Sequence, residues 1–432
     1  MSPDLAAPDF FGSVEEVAAA QAALDPATSA DAAAQAALHA TLAWVLRQRD
    51  TYGALRHAAQ AEALIADGRS PRCAARLTLV HAEAELLFNR LDATQRLIER
   101  AHHEFTALGD AVGLGDTELL RAMWLDQVGG DRLSAIDAAH EHYRRAGDEL
   151  RTRVAATWAA CVQATANPDD AERRWGAVLH DPAVWQHAGL ATYVAGAIGT
   201  LAWRRSDPAA AIEAFQRGFD AAQRSGQLQS AVTLAQNIAI AFSILNDHEG
   251  ALAWVERART LVQPTGWPHT TGWCLMQTGS ILLGLKRADA AMALLLEGLP
   301  QLQGTEGSRN HALACQILSE AALELRRNDE ALAWSNTALA GAHRMDFPDL
   351  VCGALRFKAL ALSRLGRVDD ALQAAAEALQ VSDTHGDWQR SATAHHVLAE
   401  IVRTSKLAPP AGSSAASGTI HHLEQALALG ER

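Results

Sequence analysis

The stretch Leu245-Asn246-Asp247-His248-Glu249-Gly250-Ala251-Leu252-Ala253-Trp254-Val255-Glu256-Arg257-Ala258 reads as a turn followed at once by a helix, with alanine at both ends of a seven-residue interval. Steps of 40 residues from Ala251 land on Ala171, Ala211, Ala291, Ala331 and Ala371, so the position is alanine in all six frames. Seven residues further on stand Val178, Gly218, Ala258, Gly298, Ala338 and Ala378, and seven residues return a helix to nearly the same face. Twelve residues before each anchor stand Ala159, Gly199, Ala239, Gly279, Ser319 and Ala359. Small residues held in register this way mark a repeat array, in which each unit buries its apolar face against the next.

Each frame reads as a helix of about 18 residues, a tight turn, a second helix of similar length and a short polar loop. Asn167-Pro168 and Asp207-Pro208 place proline just inside a helix start, where its missing N–H costs nothing. Pro264-Thr265-Gly266-Trp267-Pro268-His269 differs from the other connections and is expected to protrude or bend the array. Less regular pairs precede the strict frame, around Ala54-Leu55, Ala93 and Ala135. The expected organisation is a capping segment over residues 1–28, in which Phe10-Phe11-Gly12 leads into a short helix and covers the first repeat. The array follows over residues 29–403. A flexible Pro/Ser/Ala/Gly linker over residues 404–418 separates it from a C-terminal helix, residues 419–432, that completes the last repeat. No polar capping helix comes after it, which leads us to expect that something else normally follows the last repeat.

Composition agrees with helices and excludes several functions. Alanine-rich sequence with only 5% aromatic residues favours helix. The net charge of −13 offers no clustered basic face, so nucleic acid is not an expected partner. Cys73, Cys161, Cys274, Cys315 and Cys352 are widely spaced and lack a C-x-x-C pair, so they read as reduced, packed thiols. The start Met1-Ser2-Pro3-Asp4-Leu5 lacks a signal-peptide pattern, and no apolar run reaches ~18 residues. No membrane contact and a cytoplasmic location are expected.

The three small positions, with Trp175, Phe215, Val255 or Leu295 between those of the second helix, resemble the tetratricopeptide repeat family in a longer, 40-residue form. Ser335 and Ala375 depart from that middle position. The resemblance runs from about residue 30 to 431 and implies an all-α superhelical solenoid of about ten antiparallel helix pairs. At the C-terminus, the linker followed by His422-Leu423-Glu424-Gln425-Ala426-Leu427-Ala428-Leu429 is similar to the amino-terminal sensor halves of bacterial signalling proteins, where an output domain, often a diguanylate cyclase, follows. No output-domain motif is present in this chain.

In that family the first helices line the concave face, through positions three before, one after and four after the small first-helix residue. Here the rule selects Gln163, Gly196, Thr200, Trp203, Gln236 and Ser243, and further along Met276, Ser280, Gln316, Glu320, Arg356 and His396. One turn earlier lie Arg153, Tyr193, Thr233 and Trp273. The ligand-binding groove is therefore expected at Tyr193, Trp203, Gln236, Trp273, Gln316 and Arg356, facing one cavity. Amides, flat aromatic platforms and one arginine suit an extended peptide or protein segment, or a small ligand with an anionic end. A second copy of the chain is a further candidate partner.

Catalysis has no constellation. G-x-x-x-x-G-K-[ST], H-E-x-x-H and G-x-S-x-G are all absent. His395-His396 with Glu400 suggests a metal site, but adjacent helical residues point about 100° apart and no third ligand is evident. The expected function is a non-catalytic binding module without metal or cofactor, the sensing or docking part of a bacterial signalling protein. A free-standing scaffold that assembles proteins through its outer surfaces is the leading alternative, and a metal-dependent enzyme around His396 the remote one.

Overall fold

The computed structural model describes residues 10–12, 14–24, 32–65, 70–302, 309–344, 346–404 and 424–428. The expected linker over residues 404–418 lies, past its first residue, outside them. Among the described residues the regular structure is helical throughout, in antiparallel pairs. A short α1 (Val14–Ala23) leads into the pairs α2 (Ala32–Leu46) with α3 (Thr51–Leu64), α4 (Pro71–Leu87) with α5 (Leu91–Leu108), and α6 (Ala111–Val128) with α7 (Arg132–Ala146). Next come α8 (Glu149–Ala166) with α9 (Pro168–Leu179), α10 (Ala188–Arg204) with α11 (Pro208–Ser225), and α12 (Leu228–Ile244) with α13 (His248–Val262). The remainder are α14 (Pro268–Gly284) with α15 (Ala288–Leu302), α16 (Arg309–Glu324) with α17 (Asn328–Arg344), α18 (Pro348–Arg364) with α19 (Val368–Thr384), and α20 (Trp388–Thr404). Among the described residues, antiparallel helix pairs repeated along the chain give the all-α, tetratricopeptide-like architecture that the resemblance implied.

The 40-residue frame is a frame of backbone geometry as well as of residue type. Ser206, Asn246, Lys286, Arg326 and Gly366 occupy the turn five residues before successive anchors, and all have left-handed φ between 59° and 79°. Each turn closes with the same bond, the N–H of Asp207, Asp247, Arg287, Arg327 or Arg367 donating to the carbonyl five residues back at 2.8–2.9 Å. That is the six-to-one closure that satisfies an orphan carbonyl at a helix end. Asp207 and Asp247 then cap the next helix, accepting from Ala210 N and Gly250 N at 2.9 Å.

The anchors sit where paired helices approach. Ala171, Ala211, Ala251, Ala291, Ala331 and Ala371 are all fully buried. In two frames the residue twelve before the anchor is glycine and faces a bulky middle residue of the partner helix. A methyl on Gly199 would lie 2.3 Å from the Phe215 ring, and one on Gly279 would lie 2.6 Å from Leu295. Where the partner is smaller, as at Val255 and Ala375, the first helix carries Ala239 or Ala359. Ser319 faces neither a ring nor a branched chain, and its hydroxyl donates to the carbonyl of the anchor Ala331 at 2.8 Å.

The chain divides into two compact units, Met1–Cys274 and Leu275–Arg432, with the boundary inside α14. In the second unit one apolar core runs from Ala312 to Ile401 through α16–α20.

In the first unit the array bends back on itself. Trp267, fully buried, donates its indole N–H to Thr51 Oγ1 at 2.9 Å across 216 positions of sequence. The Arg49 guanidinium donates to the carbonyl of Ser225. Leu87 joins the core of Phe215, Phe219 and Trp267. The unusual connection before α14 is therefore a closing contact and does not protrude.

Candidate binding cavity

Closure of the first unit forms a partly open cavity of about 320 Å³, lined mainly from α2, α4, α6, α8, α10, α12 and the start of α14, the first helices of successive pairs, with Arg132 and Ile136 of α7. Its floor is ionic and internally paired. Arg47 Nε donates to Glu83 Oε2 at 2.7 Å while its guanidinium lies 3.8 Å above the Trp44 ring. Gln48 donates to the other oxygen of Glu83. Beside them Asp116 accepts from Arg76, from Arg151 Nε at 3.0 Å and from the Tyr143 hydroxyl at 2.8 Å.

Burial alone would push the Asp116 carboxyl up, but Arg151, Arg76 and the bond from Tyr143 outweigh it and hold the group below the usual carboxylate range. Burial and the adjoining carboxylate push the Tyr143 phenol well above its ordinary value. At neutral pH the floor thus holds Asp116 as an anion against Arg76 and Arg151, and Glu83 lies paired with Arg47. Leaving either charge unpaired at such depth would cost several kcal/mol, roughly 3–5 by the usual measure for a broken buried pair.

The walls mix apolar side chains, Leu119, Leu120, Met123 and Leu234 among them, with the Arg132–Asp126 ion pair and uncharged polar groups. Trp158, Cys161, Tyr193 and Thr200 face one side, and Ser230, Thr233, Asn237 and His269 the other. Cys161 Sγ lies 3.4 Å from Thr200 Oγ1, and burial raises its thiol, which keeps it protonated. Burial lifts the Tyr193 phenol to about 12 and lowers the His269 imidazole to about 4. At pH 7 these three groups are neutral. The wall therefore offers hydroxyls, an amide, an imidazole and two aromatic faces, which is the equipment for holding an amide-bearing ligand with an aromatic or apolar body.

Of the six groove residues expected from sequence, Tyr193 lines this cavity, with its ring 6.4 Å from that of Trp158, edge to face. Gly196, Thr200 and Thr233, which the same register selected, line it as well. Gln236 does not. It is buried between helices, and its amide reaches Cys274 Sγ at 3.1 Å. Trp203 packs at the end of α10 against the core of Phe215 and Phe219, while Trp273 is partly buried in α14; neither lines the cavity. Gln163 accepts the indole N–H of Trp175 at 3.2 Å, and Arg153 pairs with Asp181 and Glu149, each at 2.8 Å.

Gln316 and Arg356 belong to the second unit, where they share a patch with Glu320. The Gln316 amide lies against Gly353, and the Arg356 guanidinium sits 4.3 Å from the Phe357 ring. Gln316 Oε1 and Arg356 Nε are buried without a hydrogen-bond partner. Burial raises the Glu320 carboxyl, opposed by Arg356, and lowers Arg356, opposed by Glu320.

Sequence reasoning missed Arg47, Glu83, Asp116, Asn237 and His269. The first three lie in the early pairs, where the small-residue frame is irregular and no register could be carried over. Asn237 is one residue from a selected position, on a helix face the rule leaves out. Among the described residues no group of three His, Cys, Asp or Glu side chains is placed to hold a metal ion, and no helix is long and apolar enough to cross a membrane.

No protein-family model and no curated protein matches this sequence. Solved structures do show similarity. A Rap protein complexed with competence and sporulation factor is 12% identical, with 92% of this chain and 96% of that one covered and a TM-score of 0.49. A signal-transduction ATPase with a tetratricopeptide repeat sensor from Pyrococcus horikoshii is 13% identical, with 84% of this chain but 54% of that one covered and a TM-score of 0.49. The Cut9-Hcn1 hetero-tetramer structure is 14% identical, with 97% and 85% covered and a TM-score of 0.47.

Proposed function

We propose that this protein is a non-catalytic binding module whose first unit takes an extended peptide or a segment of a partner protein into the cavity lined mainly by its first helices, as the sensing or docking part of a signalling protein. One observation carries this reading. The floor arginines are already neutralised by Glu83 and Asp116, whereas the walls present neutral donors and acceptors beside the Trp158 and Tyr193 rings. Such a surface matches peptide amides and apolar side chains better than a phosphate or another anion. The volume is at the lower end of small-ligand sites, enough for a few side chains of a longer segment.

A displayed peptide library selected on the full chain, followed by calorimetry, tests this. Thr233 is exposed at the cavity wall, so Thr233→Trp fills the space without disturbing the core. Asn237→Ala removes one donor and one acceptor. Selected peptides should lose about tenfold or more in affinity for Thr233→Trp and several-fold for Asn237→Ala, the latter matching ~0.5–1.5 kcal/mol for a hydrogen bond. Binders indifferent to both substitutions would place recognition on the outer surfaces and support the scaffold reading instead.

A second reading concerns the patch of Gln316, Glu320 and Arg356, favoured by its two buried polar atoms without hydrogen bonds. We propose it as the place where the second unit meets a carboxylate. Arg356→Ala should then weaken such a ligand by ~1.5–3 kcal/mol. Equal affinities of parent and variant for a panel of peptide C-termini would remove Arg356 from any site.

A further inference from the structure

One segment of the chain already reaches the cavity of the first unit, with Phe10 in its lining and Phe11 packed against Tyr193, another lining residue. Phe10, Phe11 and Gly12 belong to no helix, yet Phe10 and Phe11 are only 8% and 7% exposed. The Phe10 ring lines the cavity between the guanidinium groups of Arg47, at 5.4 Å, and Arg151, at 5.5 Å. The Phe11 ring enters a slot formed by His187 and Tyr193, with ring centroids at 5.4 and 5.8 Å. The slot exists because residue 189 is glycine: a methyl there would stand 2.5 Å from the Phe11 ring.

The backbone of the segment is held too. Arg47 donates to the Phe10 carbonyl at 3.4 Å, and Arg49 donates to the Phe11 carbonyl at 3.0 Å and to that of Gly12. Gly12 has φ +62°, and a side chain on it would run into Val45 at 2.4 Å. The expectation that this segment covers the first repeat is thus incomplete, since it also spans to α10. Rings in separate slots, carbonyls taken by guanidinium groups and a third residue that must lack a side chain are how a receptor reads a short extended peptide.

We infer that this subsite recognises two adjacent aromatic residues followed by glycine, that Phe10-Phe11-Gly12 occupies it in cis, and that a partner peptide of the same chemistry displaces it. The inference rests on the peptide-binding reading above and names its ligand class. Arg49 gives the exchange a consequence. The same guanidinium that holds Phe11 and Gly12 also holds the carbonyl of Ser225, so occupancy of the subsite is coupled to the closure that forms the cavity.

The probe is a labelled synthetic peptide with the sequence of residues 8–14, titrated against the full chain and against the full-length Phe10→Ala/Phe11→Ala variant. An internal occupant lowers apparent affinity by the fraction of molecules in which the site is free, so the variant should bind at least about tenfold more tightly than the parent. A control peptide with both phenylalanines replaced by alanine should bind neither. Equal affinity for parent and variant, or no binding by a variant that keeps the parent's circular dichroism, would overturn the inference.

If the double variant does not fold, Gly189→Ala in the full chain decides, because its methyl expels Phe11 while leaving the helix intact. Amide exchange at residues 10–17 should then rise at least about tenfold with α10 and α12 unchanged, as expected for local release. Loss of protection throughout the first unit would make the segment an inseparable part of the core and overturn the inference. The Thr233→Trp result is read on other peptides at another wall, so either conclusion can fail without the other.

Discussion

Asp116 is the residue on which two arginines and a tyrosine from three helices converge, and its charge is what makes their burial tolerable. Asp116→Asn keeps the shape but leaves Arg76 without its counter-charge and Arg151 with Asp148 alone, and should cost ~3–5 kcal/mol in denaturant unfolding. The pH dependence follows from the direction of the shift. The folded carboxyl titrates below the ordinary 3.8, so its contribution is complete above that value and is lost as pH falls through the lower folded value. His269 acts at higher pH. Its imidazole is held near 4 against an ordinary 6.5, so between those values the unfolded chain takes up a proton that the folded chain refuses. Stability should therefore fall as pH drops from 6.5 to 4, by at most roughly 3 kcal/mol at ~1.4 per unit. His269→Gln should flatten that slope, and a slope unchanged by the substitution would show that other groups produce it.

At the scale of the helix pair, a glycine in one helix makes room for a bulky side chain in its partner, as Gly199 does for Phe215 and Gly279 for Leu295. Gly199→Ala would be a helix-favouring change on an exposed face, but here its methyl meets the Phe215 ring and should cost ~1–3 kcal/mol by overpacking. Phe215→Leu in the same chain should recover part of that cost, because the two residues share one space. Ala258→Leu places three extra carbons at a fully buried position and should cost ~1–3 kcal/mol by the same mechanism. An additive outcome for Gly199→Ala and Phe215→Leu in thermal melts would mean the two side chains do not compete. This level was legible in the sequence. Ala251, Ala258 and Ala239 stand out because close helix approach forbids larger side chains, and that constraint is local to one 40-residue frame.

For the first unit as a whole, the closing contact between Trp267 and Thr51 sets whether a cavity exists. Trp267→Phe keeps most of the buried ring but removes the indole N–H, leaving Thr51 without its donor. The expected cost is ~0.5–1.5 kcal/mol for the bond. Hydrogen exchange should rise in α2, α3 and the start of α14, with α16–α20 of the second unit unchanged. Uniform loss of protection along the chain would contradict an effect confined to the first unit.

The sequence by itself determined the helix pairs, their period, the turn positions and the small-residue contacts, because each arises within one frame or between adjacent frames and repeats often enough to be read. The resemblance to the repeat family, applied to that frame, also selected Tyr193, Gly196, Thr200 and Thr233, which line the cavity. Only the tertiary structure decided that the first six pairs and the start of α14 close. Small rotations between neighbouring pairs accumulate, and whether residue 51 meets residue 267 depends on their sum, which no single frame encodes. For the same reason Arg47, Glu83 and Asp116, ordinary charged residues along the chain, become a shared ionic floor, and Phe10 and Phe11 find their slots on helices far from them in sequence.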